Sequence, residues 1–193
     1  VITDITGFVD EDLKGHSIPW EKIAAILARC KFIVAHNASF DRKWVESALR
    51  QRGLQAPQDS IWCCSMSQID WTSTCRSSRA LEVLSAWHGF YYDSHNAAAD
   101  VDATLHLLRK NDYMKTMLTT ATTPDYRVFA VGSLREENYL LKDRRYRWNP
   151  DLTCWWKAVG SKVEADEESK WLTQHLSKVE PQCYKVDPRE RFA

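Results

Sequence analysis

Asp41, His95 and Asp100 are the residues of this chain whose types and spacing could do chemistry. Carboxylates that converge on one point are natural ligands for Mg²⁺ or Mn²⁺, hard cations that prefer oxygen. A histidine titrates near neutrality, and beside carboxylates it can take a proton from water as a general base. Asp41 closes the stretch KFIVAHNASFD, in which four apolar residues run into a polar dipeptide, so it falls just past the carboxyl end of a strand. Ligand sites of α/β proteins lie there. A helix N-cap explains Asp41 equally well when it is taken alone. His95 precedes Asp100 by five residues in HNAAADVDAT. That is about one and a half helical turns, so the two meet only if His95 occupies the loop before the helix and folds back.

Hydrophobic periodicity supplies the elements that must position them. An amphipathic helix is expected over 18–30, with Ile23, Ile26 and Leu27 on its apolar side and Pro19 near its first turn. A strand is expected over 32–35, then a helix over 41–52 that carries Trp44, Val45, Ala48 and Leu49 at helical spacing and stops at Gly53. A short buried strand follows at 60–65, a helix at 80–90 closed by Gly89, and a long helix at 95–114. Strands alternating with helices indicate an α/β domain, over 1–118. The polar, turn-prone segment 119–125 reads as a linker. Residues 126–193 then form a small α+β domain: a strand in YRVFAVGS, a helix in EENYLLKDR, short aromatic strands around YRW and TCWWKAV, and a helix in ADEESKWLTQHL. So small a domain has little interior, and Trp148, Trp155, Trp156 and Trp171 are expected to fill it.

Composition excludes more than it assigns. Hydrophobic content of 44% and charged content of 27% are those of an ordinary globular protein. No apolar run is long enough for a transmembrane helix. The opening residues have neither a basic start nor a long apolar stretch, so no membrane partner and no secretory leader are expected, and a cytoplasmic location is. Lys and Arg together number 26 and Asp and Glu 26, so any affinity for nucleic acid must be local. The six cysteines show no C-x-x-C pairing and are expected to be mostly buried thiols of a reducing compartment. The basic and aromatic cluster KDRRYRW, over 142–148, could hold phosphates through residues such as Arg144 and Arg145 and stack a ring on a base. A solvated helix end followed by a core strand explains it as well.

The pattern N-x-x-F-D over 37–41 and the pattern H-x-A-x-x-D-x-x-A-T over 95–104 resemble the second and third motifs of the DnaQ-like 3′–5′ exonucleases, in the branch with a catalytic histidine. The segment ITDITGFVDEDLKG is also similar to the stretch upstream of the second motif in that family. The resemblance implies a ribonuclease-H-like fold over the first domain. It implies hydrolysis of phosphodiester bonds at a free 3′ end, most simply of a single strand of DNA or RNA, with release of nucleoside 5′-monophosphates. Two divalent metal ions, Mg²⁺ or Mn²⁺, would be held by four acidic residues. Asp41 and Asp100 would be metal ligands, His95 the general base, and Asn37 and Phe40 would shape the pocket around the terminal nucleotide. The C-terminal residues loosely resemble a small accessory module that follows the exonuclease domain in some bacterial members.

The family's first motif, Asp-x-Glu on the first strand of the sheet, has no counterpart in this sequence. In TDITG, Thr6 stands where the glutamate would, and no apolar strand precedes Asp4. The second acidic pair, with the antiparallel strands that carry it in the family, is therefore expected before Val1 or on another chain. The strand at 32–35 would then show an unpaired edge. A nucleic-acid-binding protein without catalysis is the competing expectation, and an interaction module driven by the C-terminal domain is a third.

Overall fold

The computed structural model describes residues 3, 6–75 and 77–192. The chain divides into two compact units, Val1–Thr122 with Phe192–Ala193, and Thr123–Arg191. Both mix helix with strand, and among the described residues no helix is long and apolar enough to cross a membrane.

In the first unit, α1 (Asp10–Leu13) and α2 (Trp20–Leu27) precede β1 (Phe32–Ala35), and α3 (Ala38–Gln51) leads to β2 (Ile61–Cys64). Helices α4 (Leu81–Trp87), α5 (Ala97–Leu108) and α6 (Tyr113–Thr122) follow. β1 and β2 pair in parallel, in register from Phe32↔Ile61 to Ala35↔Cys64, and no further strand joins either of them among the described residues. Parallel pairing requires a crossover, which α3 supplies. Pleating sends alternate residues to opposite faces. Cys63, with Phe32 and Ile61 beside it, packs into a core containing Trp71, Leu84, Leu107 and Met117. Trp62 and Cys64 pack instead with Ala38 and Val45 of α3. Cover on both faces is why β2 is apolar throughout. Val34, opposite Cys63 in the register, is 37% exposed, so that cover thins toward β1.

Two helices stop where their glycines stop them. The Leu54 N–H donates to the Leu49 carbonyl and the Gly53 N–H to that of Arg50, with Gly53 at φ 70°. α4 ends the same way: the Phe90 N–H donates to Ser85, the Gly89 N–H to Ala86, and Gly89 has φ 81°. Glycine takes that left-handed conformation without steric cost.

Other boundaries differ from expectation. α3 starts at Ala38, so Asp41 lies inside its first turn and Asn37 is the N-cap. The long helix expected over 95–114 is two helices, because Asn111 and Asp112 take φ of 46° and 57° and turn the chain between α5 and α6. α6 continues to Thr122, through most of the segment expected to be a linker. The threonine hydroxyls there bond their own helix: Thr119 to the Lys115 carbonyl (2.9 Å), Thr120 to Thr116 (3.0 Å) and Thr122 to Leu118 (2.9 Å). Such back-bonding lets threonine sit within a helix, and burial of Met117 and Ala121 holds this one down.

The second unit runs β3 (Asp125–Val131), a 3₁₀ turn (Arg135–Glu137), α7 (Asn138–Asp143), β4 (Arg147–Asn149), β5 (Cys154–Val159), α8 (Lys162–His175), β6 (Glu180–Val186) and a second 3₁₀ turn (Pro188–Glu190). Its antiparallel sheet has the order β4-β5-β3-β6, which with the two helices is the split βαβ arrangement. The sequence pattern does not announce β6. EPQCYKV carries a proline and little β-branched character, and it is held as an edge strand against β3. On one face Val128, Ala130 and Trp155 are buried with Leu141, Ala165 and Leu172. Of the tryptophans expected in this core, Trp155 is buried, Trp148 is 49% exposed, and Trp156 turns to the other face. Neighbours along a strand cannot both enter one core.

Glu168 of α8 is a buried carboxylate, bound by Lys157 Nζ (2.6 Å), Arg144 Nε (2.9 Å) and the Tyr146 hydroxyl (3.2 Å). Burial pushes its pKa up, but the hydrogen bonds and charges of Lys157 and Arg144 outweigh burial and hold it below the ordinary value of 4.5. The stability it contributes is therefore present above that value and lost as pH falls through the lower, folded value. Glu168→Gln is expected to destabilise the protein by about 1–3 kcal/mol at neutral pH. The gap between variant and wild type should close in strong acid, as read from urea midpoints across a pH series.

Candidate active site

Because β1 and β2 are parallel, they deliver their carboxyl ends side by side. His36 directly follows β1 and Ser65 directly follows β2. His36 Nδ1 pairs with Ser65 Oγ at 2.8 Å, and its Nε2 with the Arg79 carbonyl at 2.8 Å. A carbonyl only accepts, so Nε2 carries the proton, and in the neutral ring Nδ1 accepts from the Ser65 hydroxyl. Burial holds this imidazole below its ordinary pKa, against the Arg79 hydrogen bond and the charges of Asp100 and Asp41. Both carboxylates thus lie within electrostatic reach of one ring, although they come from different helices.

The two acids occupy equivalent positions. Asn37 caps α3, and the Asp41 N–H donates to its carbonyl at 3.4 Å. Asn96 caps α5, and the Asp100 N–H donates to its carbonyl at 2.8 Å. The Asn96 side chain also accepts from the N–H groups of Ala98 (3.1 Å) and Ala99 (3.3 Å), fixing the start of α5. First-turn carboxylates are favoured by the positive end of the helix dipole. Burial nevertheless raises the Asp41 pKa, opposed by its own backbone hydrogen bond and by His36. The Tyr92 phenol is raised as well, by burial first and then by its hydrogen bond to Asp100 and that residue's charge.

His95 is exposed in the turn before α5, with φ 70°. Asn37, at the start of α3, has φ 153° and ψ 58°. Non-glycine residues pay on the order of 1–3 kcal/mol for sparsely populated backbone conformations, which cluster at functional sites. Asp41 and Asp100 both act by charge on the His36 ring, and His95 stands in the turn that leads into the helix of Asp100. Phe40 is 59% exposed and faces Trp44, 64% exposed, with ring centroids 6.1 Å apart. Trp44 was expected to share the buried side of its helix with Val45 and Leu49; it stands in solvent beside Asp41 instead.

Arg144 and Arg145 each have a part in the fold. The Arg144 guanidinium pairs with Glu168 and lies 4.4 Å from the Trp171 ring centroid. Arg145 is the left-handed residue that closes α7 (φ 66°); its N–H donates to the Lys142 carbonyl and that of Tyr146 to Leu141.

Tyr92 and Trp44 are residues of this region that sequence reasoning did not assign, whereas His36, beside Asn37, suits a substrate contact or a structural histidine equally from sequence. His36 showed one sign, its place directly after a strand, but its ring partners come from 29 and 43 residues away. Among the described residues no group of three or more His, Cys, Asp or Glu is arranged to hold a metal ion. Asp41 and Asp100 supply two carboxylates where the two-ion scheme requires four, so the residues present do not make up its ligand set. Asp4, in the TDITG decoy, lies outside the described residues. No protein-family model, curated protein or solved structure matches this chain.

Proposed function

We propose that this chain works as a 3′–5′ exonuclease of the DnaQ-like type, removing nucleoside 5′-monophosphates from the 3′ end of single-stranded DNA or RNA. What supports it is that Asp41 and Asp100, each in the first turn of its own helix and within its own motif, both act by charge on His36, directly after β1. In such a reaction the oxygen of water attacks phosphorus, the 3′-oxygen leaves and takes up a proton, and the water gives up its own. His95, exposed at the start of α5, is assigned the proton from water. Phe40 and Trp44 offer rings to the terminal base. Divalent ions, Mg²⁺ or Mn²⁺, belong to the proposal, and so does a further acidic pair joining Asp41 and Asp100.

A second function, binding nucleic acid without cleaving it, is favoured by the lack of a three-membered acidic or histidine group among the described residues. Incubating a 5′-labelled single strand with Mg²⁺ or Mn²⁺ separates the two. The exonuclease is expected to give a ladder shortened from the 3′ end, with nucleoside 5′-monophosphates as the other product. Internal fragments would overturn it, and an intact strand retained by the protein would leave binding alone.

A further inference from the structure

The sheet of the second unit has two unlike faces. Val128, Ala130 and Trp155 look into the core shared with α7 and α8, and the alternate residues look the other way. Strand pairing aligns Arg147 of β4, Trp156 of β5, Phe129 of β3 and Gln182 of β6 in one row across all four strands. The neighbouring row holds Ala158, Arg127 and Tyr184. Phe129 stacks on Trp156 with centroids 6.5 Å apart and planes 28° from parallel, and meets the edge of Tyr184 at 5.7 Å. The Arg127 guanidinium lies 5.3 Å from the Trp156 centroid. A hollow of about 820 Å³ opens on this face, lined in part by Arg127, Phe129, Cys154, Gln182 and Tyr184.

A self-contained domain gains little by gathering rings on the face away from its core, and Tyr184 is 54% exposed. Cations flank these rings. Arg147 and Arg127 stand in the aromatic rows, with Arg127 also donating to the Arg191 carbonyl at 3.2 Å; the acids that border them are Glu180, Glu190 and Asp125, the last paired with Arg191. Flat rings beside guanidinium groups match a chain of bases linked by phosphates, since every base has a face to stack and every link a negative charge. Four-stranded sheets with rings on the strands of their open face are a recurrent platform for unpaired bases. The Tyr184 hydroxyl donates to Gln182 Oε1 at 2.7 Å, which leaves the Gln182 NH₂ to donate to a base edge.

We propose that this face binds an unpaired polynucleotide strand, with Phe129 and Trp156 stacking successive bases and Arg147 and Arg127 holding phosphates. It shares with the proposed catalysis only the class of ligand. Binding is therefore measured with divalent ions chelated, so that a failure to cleave and a failure to bind are read separately. The whole chain is titrated against fluorescein-labelled oligothymidylate and oligouridylate, with anisotropy as the readout. Trp156→Ala and Phe129→Ala are each expected to weaken binding of both strands roughly tenfold. Trp156→Phe should keep most of the affinity, a duplex should bind more weakly than either strand, and Arg147→Ala should flatten the salt dependence by about 0.7 in slope. If Phe129→Ala does not fold, Tyr184→Ala on the exposed edge strand carries the test, with a loss again expected. No binding by the wild type, or wild-type affinity in folded Trp156→Ala and Tyr184→Ala, would overturn the proposal.

Discussion

His95→Ala is expected to lower turnover about 10²- to 10⁴-fold in any preparation whose wild type degrades a 3′ end, with substrate affinity and metal dependence largely kept. The reason is local. Asp41 and Asp100 lie on helices with their own caps and act on His36, so removing the His95 ring leaves them where they are. On the proposed mechanism, only the acceptor for the proton from water is lost. Asp100→Asn should differ in kind, with activity and metal dependence failing together. Alanine at φ 70° carries backbone strain that asparagine tolerates better, so His95→Asn is the companion variant. Both should be equally slow, and added imidazole should restore part of the rate in the alanine variant. Near-normal turnover in either would remove His95 from the mechanism.

Trp71→Ala is expected to cost the first unit about 3–5 kcal/mol, a large part of the 5–15 kcal/mol that holds a typical domain together. The ring is fully buried, with the Tyr113 ring centroid at 4.8 Å and that of His88 at 5.8 Å. Its Nε1–H donates to the Ser65 carbonyl at 2.9 Å, and the Ser65 hydroxyl is the partner of His36. The substitution thus opens a cavity and loosens the turn that positions the His36 ring. Trp71→Phe keeps most of the packing and drops the hydrogen bond, so it should cost about 1–3 kcal/mol. Amide hydrogen exchange across residues of the first unit measures both. A loss below about 1 kcal/mol for the alanine variant would show that the site does not depend on this packing.

Much of the local structure is written in short stretches of sequence. Gly53 and Gly89 end their helices because only glycine turns there without strain, and the apolar run before His36 becomes β1 because nothing in it interrupts a strand. Asn37 with Asp41, and Asn96 with Asp100, are four-residue steps that place each acid in the first turn of its helix wherever that helix lies. Such features depend on neighbours in the chain, so they can be read from it. The threonines of α6 and the proline in β6 mislead for the same reason: their local preferences are real, and burial of Met117 and pairing with β3 override them.

What tertiary structure decided is which groups face one another. The partners of His36 lie far away in sequence, and its ring meets them only once β1 and β2 align. Trp155 and Trp156 are indistinguishable as letters, yet pairing register sends the first to the core and the second to the open face. Arg144 and Arg147 belong to one basic cluster, and the fold turns the first to Glu168 and leaves the second in line with aromatic rings. A strand's two faces are equivalent until a helix covers one of them. Composition and motif can name the residues that could do chemistry, but only the packing of α3, α5 and α8 assigns their partners.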